Sequence, residues 1–191
     1  MSFQLVTVND EDHSVLRTPA EALSLPLSDE MQAFIDEMEL FIHSLESPNK
    51  LPAGLAAPQI GKPWQIIFIN VPKEAKKYRK NVYDVIPLMP LINLCYKPIE
   101  SQGFCFDWEG CYSVPDMMGE IWRPQSIYFE AYTRDGEKIA REAHGFLARL
   151  LQHEIDHLNG KVYTDLLREG DRFGPIEEMM PVRRAEFETN S

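Results

Sequence analysis

Three cysteines stand in a chain of 191 residues: Cys95, Cys105 and Cys111. They are too few, and odd in number, for a disulfide framework. No apolar run approaches the roughly 20 residues of a membrane-spanning helix; the longest, such as IIFINV, are far shorter, and no membrane association is expected. The opening MSFQLVTVNDEDHSVLR reaches acidic residues before a secretory hydrophobic region can form, so the reading is a cytoplasmic protein. Positive charge is scarce, with 19 Lys and Arg against 30 Asp and Glu and a net charge of −11. Such a surface repels phosphate backbones, and direct binding of nucleic acid is not expected. The only basic cluster, PKEAKKYRK at 72–80, reads as a solvated loop. Repeats and low-complexity tracts are missing too. What remains, 44% hydrophobic and 26% charged, suits one globular domain with its own core over 1–191.

The pattern along the chain moves from helix to strands and back to helix. Met31, Phe34, Ile35, Met38, Phe41, Ile42 and Leu45 recur at helical spacing after a possible Ser28 cap, with Asp29 and Glu30 in the first turn. SPNKLPAGLAAPQIGKP then breaks regular structure with proline and glycine. WQIIFINV, LMPLINLCYKPIE and SIYFEAYT read as strands. Cys95, inside the second of them, reads as a small core residue. Residues 73–89 look like a surface excursion. The Asp-Gly of RDGEK predicts a hairpin pairing 126–133 with 137–142. A helix is expected from Gly145 to Leu158, stopped by Gly160, and 171–191 reads as a fraying, variable tail. Strands grouped without helical alternation give an α+β class: antiparallel sheets packed around the late helix.

That helix carries QHEIDHL. His153 and His157 are four residues apart and share one helical face, so both can ligate one metal ion while the adjacent Glu154 works on a water. A catalytic site of this kind needs a third protein ligand and an open position. The extended pattern H-E-x-x-H-x-x-G-x-x-H fits at Gly160 but ends at Tyr163, a poor ligand. Glu177 or Glu178 from a following helix is a second choice, and an upstream cysteine a third. Cys111, in WEGCYSVPDM, follows a glycine that lets the backbone bend and precedes Pro115, which reads as the strand's end. A structural zinc site of Cys105, Cys111, His153 and His157 is the rival; it leaves Glu154 without a task. GLAAPQIG at 54–61 is unusual as well. Gly54 and two alanines allow close approach, and Gln59 offers an amide donor.

GLAAPQ, EGCYSVP and QHEIDHLNG together resemble the peptide deformylases in order and approximate separation, over about residues 14–170. The resemblance implies a divalent metal held by Cys111, His153 and His157, ferrous iron in the cell, with zinc, nickel or cobalt as substitutes. It implies removal of the formyl group from N-formylmethionyl nascent polypeptides, with release of formate. Glu154 is then the general base and acid, and Gln59 and the Tyr112 backbone N–H donate to the developing oxyanion. Gly54 and Tyr112 line the substrate, and Phe146 and Leu150 offer a slot for the methionine side chain. An extended peptide can add as a strand to a sheet edge. Glu109, Arg123 and Asp156 are expected to form an ion-pair network steadying His153. Two departures stand out: Pro52 replaces a glycine of the usual G-x-G-L-A-A, and Met118 sits where many relatives carry an arginine. Transient proximity to the ribosome is expected of such an enzyme, yet this tail is acidic where some relatives dock a basic helix.

Overall fold

The computed structural model describes residues 3–45 and 51–189. Helix α1 (Asp29–Ser44) begins where Ser28 accepts a hydrogen bond from the Met31 N–H at 3.3 Å. Its stripe of Phe34, Ile35, Met38 and Ile42 is buried, and Phe34 meets Trp64 edge-on with ring centroids 4.8 Å apart. These side chains cover one face of a five-stranded antiparallel sheet, ordered β1 (Gly54–Ala56), β2 (Ile66–Val71), β3 (Ile86–Pro98), β6 (Ser126–Tyr132), β7 (Lys138–His144). All six residues of β2 are buried, as expected of a central strand covered on both faces.

Helix α2 (Gly145–Leu158) packs on the other face. Leu147, Leu151, Ile155 and Leu158 join Ile67, Ile69, Leu91 and Ile127 in the main core. A second antiparallel sheet, β4 (Phe104–Cys111), β5 (Val114–Pro124) and β8 (Phe173–Pro175), lies against it. The expected α+β architecture around the histidine-bearing helix is therefore present. At Gly160, with φ +70°, an added Cβ would sit 2.8 Å from the Arg17 carbonyl carbon, so only glycine closes the helix here. The hairpin β6–β7 also forms, with Ile127 opposite Ala143 and Tyr132 opposite Lys138.

Four readings of the sequence need correction. GLA at 54–56 is not irregular: it pairs with Ile67–Ile69 as an edge strand. Pro115 does not end a strand, because β5 runs through it to Pro124. Residues 73–89 are not simply a surface excursion. Ala75 and Val82 are buried, the Phe146 N–H donates to the Asn81 carbonyl at 3.0 Å, and β3 already begins at Ile86. The tail is ordered: β8 extends the second sheet, and α3 (Ile176–Thr189) follows with Pro181 inside it. Residues 46 and 47, the end of the segment LSDEMQAFIDEMELFIHSLES read as the first helix, fall outside the described part of the chain.

Cys95 departs from its expected place as well. Asn93 adopts φ +52°, and the β3–β6 register shifts between Ile92 and Cys95. The irregularity interrupts the alternation of faces, so Leu94 is buried and Cys95 exposed. The Asn93 side chain holds the bend by pairing with both the N–H and the carbonyl of Leu23, each at 2.8 Å.

Candidate metal centre and peptide cleft

Three segments converge on one end of α2. Cys111 ends β4, at the turn into β5, and its Sγ lies 3.2 Å from His157 Nε2. The rings of His153 and His157, one helical turn apart, have centroids 5.1 Å apart. Donor atoms of Cys111, His153 and His157 all lie within 4.8 Å of one another. A tetrahedral ion with bonds of about 2.0–2.3 Å to nitrogen and sulfur suits donors at such separations. Among the described residues this is the one such group of three or more histidine, cysteine and carboxylate side chains. Glu177 and Glu178 are exposed on α3 and do not join it. Tyr163 is buried and stacks on His153 at 6.1 Å between centroids. Cys105 offers its carbonyl to Arg149 at 2.9 Å and is not part of the group.

The electrostatics match a cation-binding centre. Burial opposes ionisation of the Cys111 thiol, yet His157 and His153 beside it hold its pKa well below the usual thiol range. A thiolate is the form that ligates metal. Burial also opposes charge on His153, but contact with Cys111 and Glu109 raises its pKa well above the ordinary value. His153 Nδ1 lies 2.8 Å from Glu109 Oε2. That contact fixes the ring and leaves Nε2 for the centre.

Glu109 is itself clamped. Arg123 donates to its two oxygens at 2.6 and 2.9 Å, and Arg149 donates at 2.7 Å. Arg123 also reaches Asp156 at 2.7 Å. The anticipated network is thus present: Glu109 touches His153, and Asp156 pairs with Arg123. Desolvation opposes its charge, but Arg123 and His153 hold the Glu109 carboxyl well below its usual range. Arg149, which sequence reasoning passed over, is a third member of this cluster. Its place at i−4 from His153 on the buried helix was the available signal.

Glu154 lies against β1, with its carboxylate packed on Gly54. A Cβ at position 54 would sit 2.2 Å from Glu154 Oε1. Burial raises the Glu154 carboxyl to about 7, and its Oε2 has no hydrogen-bond partner among the described residues. Gln59 sits on a short 3-10 turn (Ala57–Ile60) directly after β1. Its Oε1 accepts from the Ala56 N–H at 2.8 Å, which turns Nε2 towards Cys111 Sγ and Ser113 Oγ, both at 3.3 Å. One cavity, of about 350 Å³, is bordered by Gly54, Gln59, Cys111, Tyr112, His153 and Glu154. Leu150 and Phe146, one and two turns before His153, form its apolar wall and belong to the core as well. Every site residue expected from the sequence therefore borders this cavity except His157, which is buried beside Cys111.

Comparison with known proteins places this arrangement. The chain is 37% identical to peptide deformylase 2 of Rickettsia conorii over 190 residues, covering 98% of this chain and 91% of that one. It is 37% identical to peptide deformylase 2 of Pseudomonas syringae pv. tomato over 164 residues, covering 85% and 84%. The crystal structure of peptide deformylase from Ehrlichia chaffeensis superimposes with a TM-score of 0.71 at 29% identity, covering 99% of this chain and 97% of that one. The same enzyme in complex with actinonin gives 0.72 at 30%, covering all of both chains. The family model for polypeptide deformylase matches residues 3–173. With a thiolate, two imidazoles and a buried glutamate around one cleft, the chain belongs to the polypeptide deformylase family.

Proposed function

We propose that Cys111, His153 and His157 hold the divalent ion with which this deformylase removes the N-formyl group from formylmethionyl nascent polypeptides. The observation that carries this reading is the convergence of one sulfur and two imidazoles, donor atoms within 4.8 Å, beside the buried Glu154. The donor set fits ferrous iron, zinc, nickel or cobalt, all of which accept mixed nitrogen and sulfur ligation; ferrous iron is the ion assigned to the cell. When bound, such an ion supplies Lewis acidity and lowers the pKa of a coordinated water.

The chain's own residues do the rest. Glu154, with a carboxyl raised to about 7 by burial, takes a proton from the attacking water. It returns that proton to the nitrogen as the formyl C–N bond breaks, leaving formate and a free amino terminus. Groups poised near neutral pH suit this exchange and contribute about 10²–10⁴-fold. Gln59 Nε2 and the Tyr112 backbone N–H donate to the carbonyl oxygen as charge develops on it. Gly54 leaves room for Glu154 and the peptide, and Phe146 and Leu150 receive the methionine side chain. Residues 1–191 act as one catalytic domain, with 14–170 carrying the shared core. We place the enzyme in the cytoplasm, where its substrates emerge. Four glutamates against two arginines on α3 do not favour docking on ribosomal RNA, so any proximity to the ribosome is transient.

The test is formate release from formyl-Met-Ala-Ser by anaerobically purified protein beside Glu154→Ala. Activity in the wild type, lost by about 10²-fold or more in a variant that still binds stoichiometric metal, is the expected result. Cleavage of internal peptide bonds without deformylation would refute the assignment.

A further inference from the structure

The cavity does not end in apolar side chains. Besides Phe146 and Leu150 its wall includes Tyr78, Arg79 and Arg183. Three guanidinium groups border the space, counting Arg149, and they are not equivalent. Arg149 is neutralised by Glu109 at 2.7 Å and also donates to the carbonyls of Ile121 at 3.0 Å and Cys105 at 2.9 Å. Arg79 lies 5.2 Å from the Phe146 ring centroid and makes one long hydrogen bond, 3.5 Å, to the Trp108 carbonyl. Arg183, from α3, donates to the Tyr78 carbonyl at 2.7 Å and to the Met180 sulfur at 3.7 Å.

Among the described residues, no carboxylate forms an ion pair with Arg79 or Arg183. Glu109 is already shared by Arg123, Arg149 and His153, and Glu154 is packed against Gly54. Burial, followed by repulsion from Arg183, pushes Arg79 down to about 10 against the attraction of Asp107 and Glu109, so it remains cationic at neutral pH. Two adjacent cations are thus held at the wall of a cleft in a protein of net charge −11, with Asp107 and Glu109 acting on Arg79 but no carboxylate in direct contact with either guanidinium.

We propose that Arg79 and Arg183 form an anion-accepting subsite of the peptide cleft, selecting formylated peptides that carry a carboxylate within its reach. The inference rests on the deformylase reading of the site. The apolar wall receives the methionine. The carboxylate comes from an acidic side chain downstream of it or from the end of a short peptide. Guanidinium groups suit it because their N–H donors match the two oxygens of a carboxylate.

The metal-loaded protein distinguishes these sources through three matched pairs: formyl-Met-Asp-Ser-amide against its Asn counterpart, formyl-Met-Ala-Asp-amide against its Asn counterpart, and formyl-Met-Ala-Ser as free acid against its amide. In at least one pair the carboxylate form should have a kcat/KM about tenfold higher, the usual scale for a charge-assisted hydrogen bond. That ratio should fall below about threefold in Arg79→Met, and it should invert in Arg183→Glu. Arg183 is partly exposed and makes no ion pair, so the inversion stays readable even if Arg79→Met fails to fold. Equal rates within all three pairs overturn the proposal. Calorimetric binding of the deformylated peptides separates the two readings. Tighter binding of acidic peptides without hydrolysis of any formyl-peptide leaves the subsite standing and defeats the deformylase assignment. Hydrolysis with no acid preference does the reverse.

Discussion

Gly54 and Glu154 compete for a volume that only one side chain can occupy. Gly54→Ala places a methyl carbon 2.2 Å from Glu154 Oε1, so the carboxylate must leave its position. The expected result is a fall in kcat of about 10²-fold or more, the scale of a misplaced acid–base group, with unchanged metal content by elemental analysis. Two of the three thiols should also separate. Cys95 is exposed and Cys111 faces His157 at 3.2 Å. A thiol reagent should therefore modify Cys95 rapidly in the metal-loaded protein, and Cys111 only after chelation. Rapid modification of both with metal present would contradict the assigned ligand set. At this scale helical spacing paired His153 with His157 in the chain itself, whereas the third proposed ligand stayed open between Cys111 and Glu177 or Glu178 until the family resemblance selected Cys111. The exposure of Cys95 was not, because Asn93 at φ +52° resets the alternation, and few sequence features announce an asparagine in that conformation.

Elements were legible where a single period dominates. The stripe of α1, the Asp-Gly hairpin and the buried face of α2 each follow from one repeat. Helix α3 was missed because Pro181 interrupts it and none of its described residues is buried; it is held by charge. Glu186 accepts from Arg172 at 2.5 Å and from the Trp108 indole at 3.0 Å. The Arg172 hydrogen bond, then that of Trp108, lowers the Glu186 carboxyl below the ordinary carboxylate range. A carboxyl depressed in the folded state stabilises above its unfolded value and loses that contribution as pH falls through the folded one. Trp108 fluorescence should accordingly be constant from pH 7 to about 5 and change progressively below about 4.5. In Glu186→Gln that transition should be absent. An identical acid transition in the variant would show that α3 is docked by other contacts.

The whole molecule is two sheets joined through one helix, and the proposed ion ties them together. Cys111 belongs to the second sheet, while His153 and His157 belong to the helix packed on the first. Metal that binds only the folded chain adds about 4 kcal/mol at a thousandfold excess over Kd. For a protein of this size that amounts to roughly 10 °C in Tm. Chelation should lower Tm by that order, and Cys111→Ala should abolish the difference. The fold class and the order of the three motifs could be anticipated, since each is local in sequence. The polar end of the cavity could not. It joins Arg79 to Arg183, more than a hundred residues apart, across segments whose sequences suggested a solvated loop and a loose tail.

That pairing has a bearing on biosynthesis. A growing copy of this protein that has emerged only as far as Gly170 already possesses the sulfur, both imidazoles and Glu154, but one bank of its trough is missing. On the proposed reading, selection of acidic substrates would therefore mature last, when the C-terminal helix seats, whereas every residue assigned to hydrolysis has been synthesised beforehand.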